Sequence, residues 1–183
     1  MKLNVLTDYI AMSSDIKKVY IIGQDYSFGQ VVSDTSIALL REKRPDIEIV
    51  GNEFHPIGQV KDFTPYVTKI VSSDADAVIT GNFGADMVSL ARSIIDSGLD
   101  IPIYTFYAAY DGITATLGAD GVDKIYLVHN DAGNPLPTEE RLAYTRNFKR
   151  LNPNNDMTQF RITNALQMLV QAMEASQSTD PYN

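Results

Sequence analysis

The sequence of 183 residues contains no cysteine and only two histidines. Without cysteine, disulfide bonds, thiolate nucleophiles and zinc–thiolate sites are excluded. Basic residues are also scarce, because 15 Lys and Arg stand against 23 Asp and Glu for a formal net charge of −8. A nucleic-acid-binding domain normally carries a basic face, so the charge balance argues against nucleic acid as a partner.

Long apolar runs are absent as well. No stretch approaches the roughly 18–20 apolar residues that cross a bilayer, and the first residues lack the basic and apolar segments of a signal peptide. The chain can nevertheless bury a core, since 44% of its residues are apolar and 21% are charged. These values exclude intrinsic disorder, collagen-like repeats and disulfide scaffolds. The length predicts one domain, alone or with an appendage, because domains usually run to roughly 100–200 residues.

Short apolar runs alternate along the chain with segments in which apolar residues recur at helical spacing. The runs have the length of buried strands and lie at Val19–Gly23, Ile47–Phe54, Ala75–Gly81, Ile101–Phe106 and Lys124–Val128. Between them, amphipathic helices are predicted. Such an alternation predicts a parallel sheet with helices on both faces. With right-handed crossovers this is a doubly wound, Rossmann-like α/β layer.

The pattern changes after Val128. A loop-rich stretch over residues 130–138 precedes two predicted helices, Glu139–Leu151 and Phe160–Ser176, and no strand follows them. The second helix has an apolar stripe that needs a packing partner. The stripe consists of Ile162, Ala165, Leu166, Leu169, Val170 and Met173. We expect this stripe to pack against the edge of its own domain or against a second copy, giving a homodimer through the C-terminal helices.

Catalytic motifs are missing from the loops. The stretch Gly81–Gly84 lacks the spacing of a dinucleotide-binding loop, and neither a Walker A lysine loop nor a GxSxG elbow occurs. A serine triad around either histidine, or a metal site from His55, His129 and Asp131, stays open as an alternative. A response regulator is excluded, because Asp25 stands alone after the first strand and Asp131 replaces the required lysine. The sequence therefore predicts no catalytic residue, no metal and no cofactor.

Aromatic and amide residues follow the strands instead. In a doubly wound sheet, ligands bind outside the carboxyl ends of the strands, and here these positions hold Tyr26, Phe28, Asn82, Phe83, Phe106, Tyr107 and Tyr110. Aromatic walls with a few polar groups are typical of a small-molecule site. For Phe28 the helical stripe favours simple packing. For Asn82 and Asp86, capping and charge at a helix start are the alternatives to ligand contact.

The same segments resemble a known family. They are Val19–Gly29 (VYIIGQDYSFG), Asp62–Ile70 (DFTPYVTKI), Ala75–Asp86 (ADAVITGNFGAD) and Gly98–Tyr107 (GLDIPIYTFY). Their order and spacing resemble the type I periplasmic binding proteins, in particular the leucine/isoleucine/valine-binding receptors of ABC importers. The resemblance extends from about Leu3 to Pro181. It implies two α/β lobes joined by a hinge, which close on a ligand in the cleft without catalysing a reaction.

The resemblance also implies a division of the chain. Residues 1–130 correspond to the second lobe, and residues 131–183 are expected to belong to a first lobe that this chain lacks. Matched positions make Tyr26, Asn82, Phe83 and Tyr107 the ligand-binding residues. Near the position of Tyr107, amino-acid receptors of this family carry an acidic residue that binds the ligand ammonium. This chain departs from that pattern, which favours an aromatic or other carboxylate ligand, unless Asp86 or Asp111 substitutes for the missing carboxylate.

Three hypotheses for function follow. The first is a periplasmic or extracellular receptor fragment that binds an amino acid or a related small carboxylate and serves an ABC importer permease. The second is a ligand-sensing domain of a signalling receptor with the same fold. The third is a small α/β enzyme, for which the sequence contains no catalytic motif.

Overall fold

The computed structural model describes residues 2–108, 113–129, 138–155 and 160–180. Its elements in chain order are α1 (Lys2–Ala11), β1 (Lys18–Gln24), α2 (Ser27–Lys43), β2 (Glu48–His55), α3 (Thr64–Ser72), β3 (Ala77–Thr80), α4 (Gly84–Asp96), β4 (Ile103–Thr105), α5 (Ile113–Leu117), a 3₁₀ turn (Gly118–Gly121), β5 (Ile125–Leu127), α6 (Glu139–Leu151) and α7 (Phe160–Ser176). The chain divides into two compact units, Met1–Asn130 and Asp131–Asn183.

The five strands form one sheet in the order β2-β1-β3-β4-β5. All neighbouring pairs are parallel, so the predicted doubly wound α/β layer is confirmed. The chain moves from β1 to one side for β2 and then to the other side for β3. The direction of winding therefore reverses between β1 and β3, and their carboxyl ends form the switch point where such folds hold ligands.

The sheet separates two apolar cores. On one face, α3, α4 and α5 cover Ile22 and Val78, together with the buried ring of Phe63. On the other face, α1 and α2 cover Val19 and Ile21. Successive residues of β1 thus serve opposite cores, as the alternation of side chains along a strand requires. Burial on both faces explains why the strands read as short continuous apolar runs.

The helix boundaries follow local signals closely. The two C-terminal helices have the predicted bounds. The helix α3 begins at Thr64, two residues after Asp62, and the Thr64 N–H donates to Asp62 Oδ1 at 2.9 Å. The third, fourth and fifth strands are shorter than their apolar runs. The remaining residues of those runs lie in the loops at the strand ends.

The second unit exposes much of its apolar surface. On α7, Ile162, Leu166, Leu169 and Val170 are each more than half exposed, and α6 buries none of its residues. The expected packing of this stripe on a second copy stays a prediction. Of the helices in the described ranges, none is long and apolar enough to cross a membrane.

The turn from β1 into α2 depends on a close backbone approach at Gly29. A Cβ atom added to Gly29 would lie 2.0 Å from the carbonyl oxygen of Gln24, which cannot move without disturbing the end of β1. A Cβ atom on Gly23 would meet its nearest neighbour, the Gly29 Cα, at 3.7 Å, an ordinary contact. Glycine at position 29 therefore allows α2 to start directly against the carboxyl end of β1.

We predict that Gly29→Ala lowers the free energy of unfolding by about 1–3 kcal/mol, the usual cost of overpacking a close contact. Gly23→Ala is the matched control, and its unfolding midpoint in urea should stay near that of the unmodified chain. Unfolding is followed by circular dichroism. Equal stability of the two variants would show that the approach at Gly29 is not a constraint.

Candidate ligand-binding site at the carboxyl edge of the sheet

Four aromatic side chains meet at the carboxyl edge of the sheet, and we call Tyr26, Phe28, Phe83 and Tyr107 the aromatic cluster. The ring centroids of Tyr26 lie 6.0 Å from Phe28 and 6.2 Å from Phe83. Those of Tyr107 lie 6.0 Å from Phe28 and 6.1 Å from Phe83. The contacts close a circuit of edge-on and tilted rings, the geometry that aromatic quadrupoles prefer.

The cluster draws on three different turns of the chain. Tyr26 and Phe28 stand where β1 passes into α2, Phe83 lies between β3 and α4, and Tyr107 follows β4. Phe83 is 40% exposed, and the other three rings are half-buried. The structure thus brings together three of the predicted site residues, Tyr26, Phe83 and Tyr107. It adds Phe28, which the helical spacing had assigned to packing.

Two polar features accompany the rings. Burial raises the pKa of the Tyr26 phenol, and the neighbouring phenol of Tyr107 raises it further. A phenol is protonated at neutral pH even without this shift, so the Tyr26 hydroxyl can donate a hydrogen bond. The ammonium nitrogen of Lys2 lies 5.6 Å from the ring centroid of Tyr107, within cation–π range.

Asn82, the fourth predicted site residue, is fully buried. Its Nδ2 donates to His55 Nε2 at 2.8 Å, and His55 Nδ1 lies 3.2 Å from the carbonyl oxygen of Pro56. These contacts assign the imidazole proton to Nδ1, because Nε2 has to accept. His55 is itself buried and packs edge-on against the ring of Phe63 at 4.9 Å. In this structure the Asn82 side chain therefore holds its turn to the end of β2, and its predicted ligand contact stays a prediction.

Asp86 connects three further segments. It lies in the first turn of α4 and is 4% exposed. Its Oδ2 accepts from Gln24 Nε2 at 2.7 Å and from the Gly58 N–H at 2.8 Å. A carboxylate at a helix N-terminus also interacts favourably with the helix dipole. Asp86 was considered as a partner for a ligand ammonium; in this structure its side chain is buried and its Oδ2 accepts from two donors of the protein.

The side chain of Gln24 links this arrangement to the aromatic cluster. Besides Asp86, its Nε2 approaches the carbonyl oxygen of Phe83 at 3.5 Å. The amide oxygens of Gln24 and Asn82 are buried and have no hydrogen-bond partner within the described part of the chain. The turn that carries Phe83 is consequently fixed from β1 through Gln24 and from β2 through His55.

The positions of the histidines do not support the two alternatives, a serine triad and a metal site. Both ring nitrogens of His55 are committed to Asn82 and Pro56, so His55 has no free nitrogen for a metal or a serine. Asp131, Tyr110 and Asp111 lie outside the described residues. Within the described ranges, no group of three His, Asp or Glu side chains could hold a metal ion.

Sequence reasoning missed the roles of Gln24 and His55. Gln24 occupies the last position of β1, and it pairs in register with His55 at the end of β2. The available signal was a polar residue directly after an apolar run on each of these strands. Such a residue is buried at a strand end only when a partner satisfies it.

We predict that Asp86→Ala lowers the free energy of unfolding by about 1–3 kcal/mol, because the Gln24 amide and the Gly58 N–H lose their acceptor. Asp96→Ala is the control on the same helix. Asp96 is exposed in the last turn of α4, where a negative charge is unfavourable, so its removal should change stability by less than about 0.5 kcal/mol. Urea denaturation compares the two. An Asp86→Ala chain as stable as the control would refute the connecting role of Asp86.

The sequence matches a known protein family over nearly its whole length. A family model described as periplasmic binding protein matches residues 1–182. Among curated proteins, the Leu/Ile/Val-binding protein homolog 4 of Brucella abortus is 27% identical over 135 residues, which cover 74% of this chain and 32% of that protein. The same values hold for the homolog of Brucella suis. The chain thus spans about a third of the length of the curated relatives it matches.

Solved structures show the same fold. A leucine-, isoleucine-, valine-, threonine- and alanine-binding protein from Brucella ovis, in a closed conformation, gives a TM-score of 0.73 at 24% identity, covering 94% of this chain and 43% of that one. A solute-binding protein of an ABC transporter from Rhodopseudomonas palustris, in complex with p-hydroxybenzoic acid, gives 0.79 at 18% identity, covering 98% and 50%. The predicted resemblance is confirmed, and the chain belongs to the periplasmic binding protein family.

Proposed function

We propose that this chain is part of a solute-binding receptor of an ABC importer, which binds a small amino acid or carboxylate in a cleft. The observation that carries the proposal is the aromatic cluster at the switch point of the sheet. Its rings come from three turns, contact one another in a closed circuit and remain partly exposed. Partly exposed aromatic walls at this place are what a small-molecule site requires.

The site is suited to binding without a chemical step. The polar side chains nearest to the cluster are engaged in holding the structure, Asp86 with Gln24 and Asn82 with His55. None of these pairs has the arrangement of a nucleophile activated by a base. The relatives named above are binding proteins for amino acids and a hydroxybenzoate. The description of the family, periplasmic binding protein, supports a receptor that works in the periplasm or outside the cell.

The chain supplies half of the proposed cleft. We assign residues 1–130 to the second lobe and residues 131–183 to the first lobe of a longer protein. The support is that the chain spans at most half the length of the solved relatives described above. Closure of two lobes would place the partly exposed aromatic cluster on one side of the ligand. The remaining contacts would then come from the other lobe.

Weak binding by the 183-residue chain follows from this assignment. In isothermal titration calorimetry against leucine and benzoate, we expect dissociation constants weaker than micromolar, because half of the contacts are missing. Phe83→Ala should weaken this residual binding further. Val71→Ala, which truncates an exposed side chain on α3, should not change it. Micromolar or tighter binding by the monomer would contradict the two-lobe cleft.

A further inference from the structure

Three tyrosine rings meet on the face of the sheet that α1 covers, and we call Tyr9, Tyr104 and Tyr126 the tyrosine group. Tyr104 and Tyr126 pair in register on β4 and β5, and their ring centroids lie 5.3 Å apart. The ring of Tyr9 on α1 lies 6.1 Å from that of Tyr104 and 5.8 Å from that of Tyr126. The tyrosine group shares no residue with the aromatic cluster, and the proposed receptor function does not use it.

The tyrosine group lines a cavity of about 650 Å³. Other parts of its wall come from the loop before β1 and from the residues that directly precede β3, β4 and β5. Parallel strands begin at the same edge of a sheet, so this cavity lies at the amino edge, opposite to the aromatic cluster. Its volume falls within the usual range for small-molecule sites, about 300–1,000 Å³.

The wall of this cavity is acidic. The carboxylates that line it belong to Asp15, Asp76, Asp100 and Asp123. Lys124, the one basic residue among the described residues of the wall, lies with its Nζ 3.4 Å from Asp100 Oδ1. Asp76 accepts from two backbone N–H groups at the start of β1. Asp15 and Asp123 form no ion pair within the described ranges, so the cavity keeps an excess of negative charge.

The hydroxyl of Tyr104 is a second, independent sign of a ligand. Tyr104 is 5% exposed, and burial raises its pKa to about 12, so the phenol is neutral. Its hydroxyl forms no hydrogen bond within the described part of the chain, although the side chain lines the cavity. A polar group of a buried side chain normally has a partner, and here that partner can enter from the cavity.

A bulky organic cation suits this wall better than a metal ion. Within the described ranges, no group of three His, Asp or Glu side chains could hold a metal ion, because the carboxylates are spread around the wall. Aromatic rings attract organic cations, and methylated ammonium groups in particular. A methylated ammonium ion needs no close set of acceptors, since it has few or no N–H groups to satisfy.

We propose that the cavity at the amino edge binds a methylated ammonium ion of the choline type. Its methyl groups pack against the tyrosine group, and its hydroxyl forms a hydrogen bond with Tyr104. The carboxylates of Asp15 and Asp123 balance its charge. This site goes beyond the proposed receptor function and does not depend on it.

Saturation-transfer NMR on the 183-residue chain tests this with choline and with its uncharged isostere, in which carbon replaces the ammonium nitrogen. At millimolar concentration we expect strong saturation transfer to the methyl protons of choline and markedly less to the isostere. Tyr9 is 50% exposed, so Tyr9→Leu should leave the fold intact and weaken choline binding roughly two- to fivefold, the range of an exposed cation–π contact. Tyr9→Phe keeps the aromatic face and should bind choline unchanged.

A second pair of variants tests the charge of the wall. Asp123 has a φ of 59°, a conformation that asparagine also adopts. Asp123→Asn should therefore keep the fold and weaken choline binding roughly two- to fivefold, the upper range for an exposed ion pair. Asp96→Asn is the charge-matched control on α4, which covers the other face of the sheet, and it should leave binding unchanged.

Each contrary outcome overturns the proposal without touching the receptor function. Equal saturation of choline and the isostere, or none of either, would exclude a cation site. Tighter binding of ethanolamine than of choline would show that the tyrosine group does not select methyl groups. An equal loss of binding in Asp123→Asn and Asp96→Asn would assign the attraction to the net charge of the whole chain.

Discussion

The buried carboxylate of Asp86 is the interaction on which the site depends. It accepts from Gln24 at the end of β1 and from the backbone of Gly58 after β2, while its own helix follows β3. A buried charge is tolerated only when donors surround it, so these segments have to meet in one arrangement. The turn that presents Phe83 lies directly before this helix and takes its position from the same contacts.

The aromatic cluster is a consequence of two close approaches. Gly29 lets α2 begin against the backbone of Gln24, which places Tyr26 and Phe28 at the edge of the sheet. Gln24 then contacts the Phe83 carbonyl oxygen, and Asn82 holds the same turn through its buried hydrogen bond to His55. The rings consequently rest on strand ends and helix starts instead of on long loops. A site built on such elements is held more precisely than one built on long loops.

The fold could be predicted from the sequence because it depends on local periodicity. The apolar runs of β1 and β3 and the helical stripe of α7 follow rules that operate within a few residues. The buried polar contacts could not be predicted in the same way. Asn82 bonds to His55 across 27 positions, and Gln24 bonds to Asp86 across 62. A residue type alone does not show such a partner, so the contact of Asn82 with His55 was not predicted, and its predicted ligand contact stays a prediction.

Amide hydrogen exchange at Gly58 tests the account most directly. Gly58 is an exposed loop residue, and an amide in such a loop normally exchanges rapidly with solvent. Because its N–H donates to the buried Asp86 carboxylate at 2.8 Å, we predict slow exchange, comparable to the buried amides of β3. The exposed neighbours Ile57 and Gln59 should exchange quickly. A Gly58 amide that exchanges as fast as these neighbours would contradict the central role of Asp86.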